Sequence, residues 1–301
     1  TLADVGSIFV TLKSFNNNRK KIALHEVNLK RGNIKLNRSK KNGEYNFQFI
    51  ADYFQSTDTT ASKPFDIKLN KIKLSQINFK YDDYREKEQT FGVDFSHMYL
   101  RNIYLSASSF HLLKSGGIST FVKHLSFEEK SGLQLNRFSS KVILDNNGLK
   151  INYLRIVTPE SNINIAKLNL QVASLEDFSD FVEKVEFDAI MKQSMISLAD
   201  VALFATDLRG MNEKIWIQTN ISNRIKNLKL ADLDFKLGQK TIIRGTFNLL
   251  DFNQMESSYL NERITYANLD IRDIEAIKLQ VSSGGKALKL DEKIKKLKEI
   301  Q

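Results

Sequence analysis

No cysteine occurs among the 301 residues, which excludes a disulfide framework, thiolate metal sites and a cysteine nucleophile. That absence is compatible with an oxidising envelope compartment, where stray thiols would mispair. There are only two prolines, Pro64 and Pro159, so little in the chain forbids long, continuous strands. No run approaches the ~18 uninterrupted apolar residues that a bilayer-crossing helix requires. The sequence opens at Thr1 without a basic-then-apolar leader, so a targeting or anchoring segment is expected to lie outside it. What is present excludes disorder: 42% of residues are hydrophobic and 10% aromatic, enough to form a core. The length suits about two domains of ~150 residues, or one large β architecture.

Positive charge is in excess only at the two ends. Residues 1–50 carry ten Lys and Arg against three Asp and Glu, and residues 286–301 carry six against three. The segment between them holds 29 of each sign, so the net +10 belongs to the termini. A nucleic-acid binder with a uniformly basic surface would not be patterned this way. The N-terminal run Arg19, Lys20, Lys21, Lys30, Arg31, Arg38, Lys40, Lys41 is followed by Tyr45, Phe47 and Phe49, which are ingredients for single-strand binding. Their alternation places the three aromatic residues in the apolar phase of a strand, and so favours a sheet core with a solvated edge. A third use for such basic residues is attraction to anionic headgroups, worth about 1 kcal/mol per residue near the surface.

A two-residue period dominates. Apolar and charged side chains alternate through Phe65, Ile67 and Leu69; the beat returns one residue late at Ile72 and Leu74, and slips again at Ile77, Phe79 and Tyr81. The same alternation recurs at Phe91/Val93/Phe95, Leu133/Leu135, Leu149/Ile151, Ile163/Ile165, Leu168/Leu170, Ile215/Ile217, Leu233/Phe235/Leu237 and Phe247/Leu249. Successive strand residues face opposite sides, so the pattern predicts a sheet with one apolar and one wet face. Each phase slip marks a bulge, a bend or a short turn. Turn signals separate the runs at Asn16-Asn17-Asn18, Lys41-Asn42-Gly43, Gly116-Gly117, Asp145-Asn146-Asn147-Gly148 and Leu237-Gly238-Gln239. A loose repeat, Leu-x-x-apolar-x-apolar, starts at Leu24, Leu74 and Leu100 and again at Leu230. It suggests a strand-turn-strand unit laid down repeatedly.

One region changes period. Ser174 and Asp177 form a capping-box-like start, and Phe178, Phe181, Val182 and Val185 then share a helical stripe. A second short helix is expected after Ser197, with Leu198, Val201, Ala202 and Ala205 along one side. The expected fold class is therefore mainly β, an elongated, curled, antiparallel-rich sheet forming a groove, with one or two short amphipathic helices. The segments are residues 1–173 (β-groove), 174–206 (amphipathic helical cover), 207–285 (continuing groove) and 286–301 (basic tail after the flexible Ser282-Ser283-Gly284-Gly285 joint).

No catalytic constellation emerges. His25, His97, His111 and His124 form no pair at metal-binding spacing, and no Gly-x-Ser-x-Gly elbow is present. Ser283-Gly284-Gly285-Lys286 lacks the glycine spacing and the following hydroxyl of a phosphate loop. Asp145-Asn146-Asn147-Gly148 lacks the alternating ligands of a calcium loop. No order of residues selects a hydrolytic pair of carboxylates. The expectation is a non-enzymatic protein without metal or cofactor.

Residues 63–84 (KPFDIKLNKIKLSQINFKYDDY) and 90–95 (TFGVDF) resemble the N-terminal part of the TamB proteins of Bacteroidota, members of the AsmA-like superfamily. Residues 131–135 (SGLQL), 178–182 (FSDFV), 207–211 (DLRGM), 225–241 (IKNLKLADLDFKLGQKT) and 243–247 (IRGTF) agree with it, over roughly 20–285 in all. The resemblance implies a periplasmic protein held in the inner membrane by an N-terminal anchor, whose β-trough moves phospholipid between the membranes. It also implies a C-terminal domain that works with an outer-membrane Omp85-type barrel; anchor and C-terminal domain are both absent from this sequence. On this reading the groove is lined by Ile67, Leu69, Ile77, Phe79, Phe91, Val93, Phe95, Leu133, Leu135, Leu149, Ile151, Ile163, Ile165, Leu233, Phe235, Leu237 and Phe247. Arg19, Lys20, Lys21, Lys30 and Arg31 face the headgroups, and nucleic acid is not a partner. The competing expectation is a closed β-sandwich, structural or adhesive, that binds protein or glycan at its loops.

Overall fold

A computed structural model describes residues 2–18, 21–48, 66–112, 117–250, 259–270, 272–273 and 299–300. Among these, fourteen strands follow one another in chain order: β1 (Ala3–Asn16), β2 (Lys21–Arg38), β3 (Asp66–Asp83), β4 (His97–Leu112), β5 (Ile118–Glu129), β6 (Gln134–Asp145) and β7 (Gly148–Val157). They continue as β8 (Asn162–Gln171), β9 (Glu186–Ser197), β10 (Lys214–Asn223), β11 (Asn227–Leu237), β12 (Thr241–Leu250), β13 (Tyr259–Asp270) and β14 (Glu299–Ile300). Each strand lies beside its neighbour in sequence. The short β14 pairs with Leu269 and Asp270 of β13. The protein is thus mainly β, and mostly antiparallel, with β2 and β3 running parallel. Among the described residues no helix is long and apolar enough to cross a membrane.

The chain divides into two compact units: residues 1–112 with 119–139, and residues 113–118 with 140–301. In the first unit, the phase slips are bulges inside continuous strands. Gln76 of β3 has a left-handed backbone (φ 55°), as do Arg31 of β2 and Asn102 of β4 (φ 52° each). Register places Arg31 beside Gln76, between the pairs Lys30–Ser75 and Gly32–Ile77. The pairs Leu74–Leu105, Ile77–Ile103 and Phe79–Leu100 bracket Asn102 on the other side. A second row passes through His25 and Asn70, both skipped by the β2–β3 register, to Ser109 (φ 56°). Gly6 on β1 borders the first row, where a Cβ would come within 2.9 Å of the Arg31 carbonyl oxygen.

The second unit repeats the device with Tyr153 on β7 (φ 56°), Asp232 on β11 (φ 51°) and Gly245 on β12 (φ 158°). In the repeat units starting at Leu74, Leu100 and Leu230, the third residue is the left-handed one. The repeat therefore encodes strand, bulge and strand within one element, not the strand-turn-strand unit expected from the sequence. The unit at Leu24 has no left-handed residue at Glu26; its register against β1 shifts there instead, between the pairs Thr11–Glu26 and Leu12–Leu24.

The expected helical cover over 174–206 consists of two pieces with β9 between them. A 3-10 turn, Leu175–Asp180, runs into α1 (Phe181–Lys184). The Ser174 backbone N–H donates to the Asp177 carboxylate at 2.9 Å, as the capping-box reading requires. The Phe181 ring stands edge-on to Phe187 of β9 at 5.5 Å, so this stripe packs on the end of the sheet. The other piece is α2 (Leu198–Ala202), whose Ala202 is buried. Ser197 precedes α2 but does not cap it with its hydroxyl; its N–H donates to the Ser161 hydroxyl at 2.9 Å. Both expected helices are present, and the strand between them is hidden from periodicity because Phe187, Ala189, Met191, Ser194 and Ile196 of β9 keep no even beat across their bulge.

Candidate functional site

Residues directly opposed in neighbouring strands project to the same side of a sheet. Register therefore carries one face from strand to strand even where a bulge resets the alternation within one of them. In the first unit the rows Leu29–Leu74–Leu105 and Ile34–Phe79–Leu100 flank the bulge row. Between them Ile77, fully buried, meets Gly32 and Ile103. On β1 the same face carries Ile8, Val10, Leu12 and Phe15, opposite Leu29, Val27, Leu24 and Ile22. Those four are 61%, 54%, 55% and 57% exposed.

In the second unit a row six strands wide runs Ile151–Leu168–Ala189–Ile221–Leu230–Phe247. Beside it lie Leu149–Leu170–Phe187 and Leu154–Ile165–Met191–Thr219, and beyond the bulges Ser194–Ile217–Phe235–Ile243 and Ile196–Ile215–Leu237. Ile151, Leu154, Ala189 and Leu237 are buried, but most of the other apolar members are part-exposed. In a closed sandwich these central-strand residues would be sealed by an opposing layer. Such a layer is lacking over much of the face among the described residues.

Ser194 and Thr219 are buried polar members of that face, each 2% exposed; by register Thr241, Asn223 and, on β13, Glu262 adjoin it. The Asn164 N–H donates to the Ser194 hydroxyl at 2.9 Å, that hydroxyl donates to the Lys192 carbonyl at 2.8 Å, and the Thr219 hydroxyl donates to the Ala231 carbonyl at 3.0 Å. Both sit at register shifts and occupy backbone groups that a bulge takes out of the ladder.

Of the residues expected to line an apolar groove, Leu149, Ile151, Ile163, Ile165, Leu233, Phe235, Leu237 and Phe247 share the face in the second unit. Leu69, Ile77 and Phe79 share it in the first. The backbone of Ile67 pairs with Ile22, but its side chain lies outside the described residues. Phe91, Val93 and Phe95 form no strand. They belong to the loop joining β3 to β4, where Val93 is buried and Phe95 is 64% exposed. Leu133 precedes β6, its carbonyl accepting from the Glu129 N–H, and Leu135 is buried within β6. Tyr45 and Phe47 form a turn beyond β2 instead of a strand, with the Arg38 guanidinium 5.0 Å from the Tyr45 ring. Arg19, Lys20 and Phe49 lie outside the described residues. Lys21, Lys30 and Arg31 are exposed on β2, with the Lys30 ammonium 5.2 Å from the Phe9 ring. Sequence reasoning missed Leu100, Ala107, Leu154 and Met191 as members of the face, because bulges break their beat. For Leu100 a signal was present in the repeat unit that starts there.

Carboxylates tie the strand ends. Asp83, at the end of β3, accepts from the Arg85 N–H and from its guanidinium at 2.9 and 2.7 Å, and Arg38 lies within 3.9 Å. The Arg85 hydrogen bonds hold the Asp83 carboxyl down to about 2. Asp270 at the end of β13 repeats the arrangement with Arg272 and is likewise held down to about 2. Burial opposes ionisation of Asp94, but the N–H groups of Gln89 and Ser96 and the nearby His97 outweigh it and lower its pKa. The Thr158 and Ser161 hydroxyls both donate to Asp200, fastening the β7–β8 turn to α2. Each of these groups is consumed by a structural contact. Among the described residues no three His, Asp or Glu side chains are grouped to hold a metal ion. The chain matches no protein-family model, no curated protein and no solved structure.

Proposed function

We propose that the protein is a non-enzymatic lipid-carrying segment of the periplasm, TamB-like in role, whose apolar sheet faces hold phospholipid acyl chains. The observation that carries this reading is the part-exposed apolar face, three to six strands wide, whose polar members in the second unit are Ser194, Thr219 and Thr241 within it and Asn223 and Glu262 at its margin. Apolar area gains roughly 25 cal/mol per Å2 on leaving water, or about 0.8 kcal/mol per methylene. A ten-methylene stretch of chain laid on the face therefore gains at most about 8 kcal/mol. The attraction has no direction, so a tail can slide from one row to the next without a fixed site. Docking to an inner-membrane anchor and to an outer-membrane barrel belongs, on this proposal, to parts outside this sequence. Native mass spectrometry of protein purified from a membrane-containing host tests it. Co-purifying phospholipid is expected, and a lipid-free protein that also fails to take up phospholipid from vesicles would overturn it in favour of a closed sandwich.

A further inference from the structure

On the wet side of the second unit, three large apolar residues stand out of phase: Met195 of β9, Trp216 of β10 and Ile242 of β12. Register puts them in a single row, Met195–Trp216–Lys236–Ile242, on the side opposite Ile217, Phe235 and Ile243. The apolar face does not account for them. Around Trp216 a cleft of about 510 Å3 opens, a size that suits one or two sugar rings. Next to that row runs Gln218–Asp234–Arg244–Tyr266. The Lys236 ammonium lies 5.7 Å from the Trp216 ring centre, the Arg244 guanidinium lies 5.6 Å from that of Tyr266, and Arg244 pairs with Asp234 at 3.2 Å. Gln193, at the bulge of β9, also lines the cleft, as bulges beside binding sites do when they re-aim a side chain.

We infer that this cleft binds a short glycan bearing an acidic group. A pyranose offers a C–H face, which suits the indole ring, and paired hydroxyls, which suit the fixed donors and acceptors of Gln193, Gln218 and Asp234. Lys236 and Arg244 outnumber Asp234 by one charge, so a uronate carboxylate completes the balance; Arg244 can take it in two-pronged fashion. The ammonium of Lys236 then leaves the ring for the carboxylate, and the sugar takes its place. This inference is independent of the lipid reading, because the ring, charged and amide groups it uses stand on the opposite face, although Ile217 also borders the cleft.

Trp216 is the only tryptophan, so its fluorescence reports on this cleft alone. The test titrates the full chain with a uronic-acid trimer, a neutral hexose trimer and inorganic phosphate. A saturable change is expected with the uronic-acid trimer, about tenfold weaker binding of the neutral trimer, and no change with phosphate. Lys236→Gln and Arg244→Gln, both at exposed positions, are each expected to weaken the trimer about tenfold while leaving the urea midpoint and the bound lipid unaltered. The inference is overturned by a silent titration of folded protein, by equal binding of the neutral trimer, by phosphate giving the same change, or by variants that bind like the parent. Bound lipid, measured in parallel, shows separately whether the lipid reading stands.

Discussion

Replacing Ile8, Val10 and Leu12 together by serine separates an open apolar face from a sealed one. The three side chains are 61%, 54% and 55% exposed, so each keeps somewhat under half of its possible burial. Full burial of such a side chain stabilises by about 1.5–3 kcal/mol, which leaves about 1 kcal/mol apiece and about 3 kcal/mol for the triple variant. These are upper bounds, because an unfolded chain already hides part of its apolar surface. Were a protein layer to cover β1, each truncation would cost about 2–5 kcal/mol, and the triple variant would exhaust most of a typical stability of about 5–15 kcal/mol. Urea unfolding followed by circular dichroism measures the difference: the midpoint is expected to fall modestly at an unchanged slope. Native mass spectra of the same sample are expected to show less bound phospholipid. Outright unfolding would refute the open face, and an undiminished lipid complement would refute its use by lipid.

The remaining predictions concern the strand ends and the bulges. Asp83 and Asp270, both held to about 2 against about 3.9 in an unfolded chain, stabilise fully above about pH 4 and lose that contribution as pH falls from about 4 to about 2. The double variant Asp83→Asn/Asp270→Asn should therefore be less stable at neutral pH and flatter through that window in melts taken from pH 7 to 2; an unaltered acid slope counts against the pairing. At Gln76, where φ is 55°, valine should cost about 1–2 kcal/mol in urea unfolding, while glycine should be neutral or mildly stabilising. At Gly148 a Cβ would sit 2.0 Å from the Leu170 carbonyl oxygen at φ 125°, so Gly148→Ala should open the β7–β8 hairpin and cost about 2 kcal/mol or more, read as a lowered midpoint and faster amide exchange in β7.

How much of this was legible depended on whether alternation ran unbroken. Leu149–Ile151, Ile163–Ile165 and Leu233–Phe235–Leu237 are clean two-residue beats, and their strand placement and shared face followed from that beat alone. Phe91, Val93 and Phe95 alternate equally well but form a loop. Gly92 between them has φ 81°, and the Asp94 carboxylate ties down the N–H groups of Gln89, Ser96 and His97. Local hydrogen bonding there overrides periodicity, and no count of apolar residues reveals it. Within β9 the opposite error arose: two residues, Lys192 and Gln193, stand between Met191 and Ser194, and this breaks the beat of a true strand. The site on the wet face was hidden for a related reason. Trp216 between Ile215 and Ile217 reads as a plain apolar run, and only register across β9, β11 and β12 reveals it as the odd member of a polar surface.

The bulges also explain why the apolar face of the second unit carries hydroxyls and no charges in its central strands. A bulge removes N–H and C=O groups from the ladder, and where the face is shielded from water these need partners. A charged side chain could supply one, at a large desolvation cost and with a fixed field that would hold a passing headgroup or repel a tail. Serine and threonine supply the same hydrogen bonds with the smallest polar surface. At Ser194 and Thr219 the hydroxyls are spent entirely on Asn164, Lys192 and Ala231 of the same sheet. To a hydrocarbon lying across β9 and β10, that stretch of face is as greasy as its neighbours. Replacing Thr219 by valine keeps the shape, loses one hydrogen bond and strands the Ala231 carbonyl, so it should cost about 1–3 kcal/mol while leaving lipid uptake from vesicles intact. A fall in uptake at matched stability would mean instead that the hydroxyl itself touches the cargo.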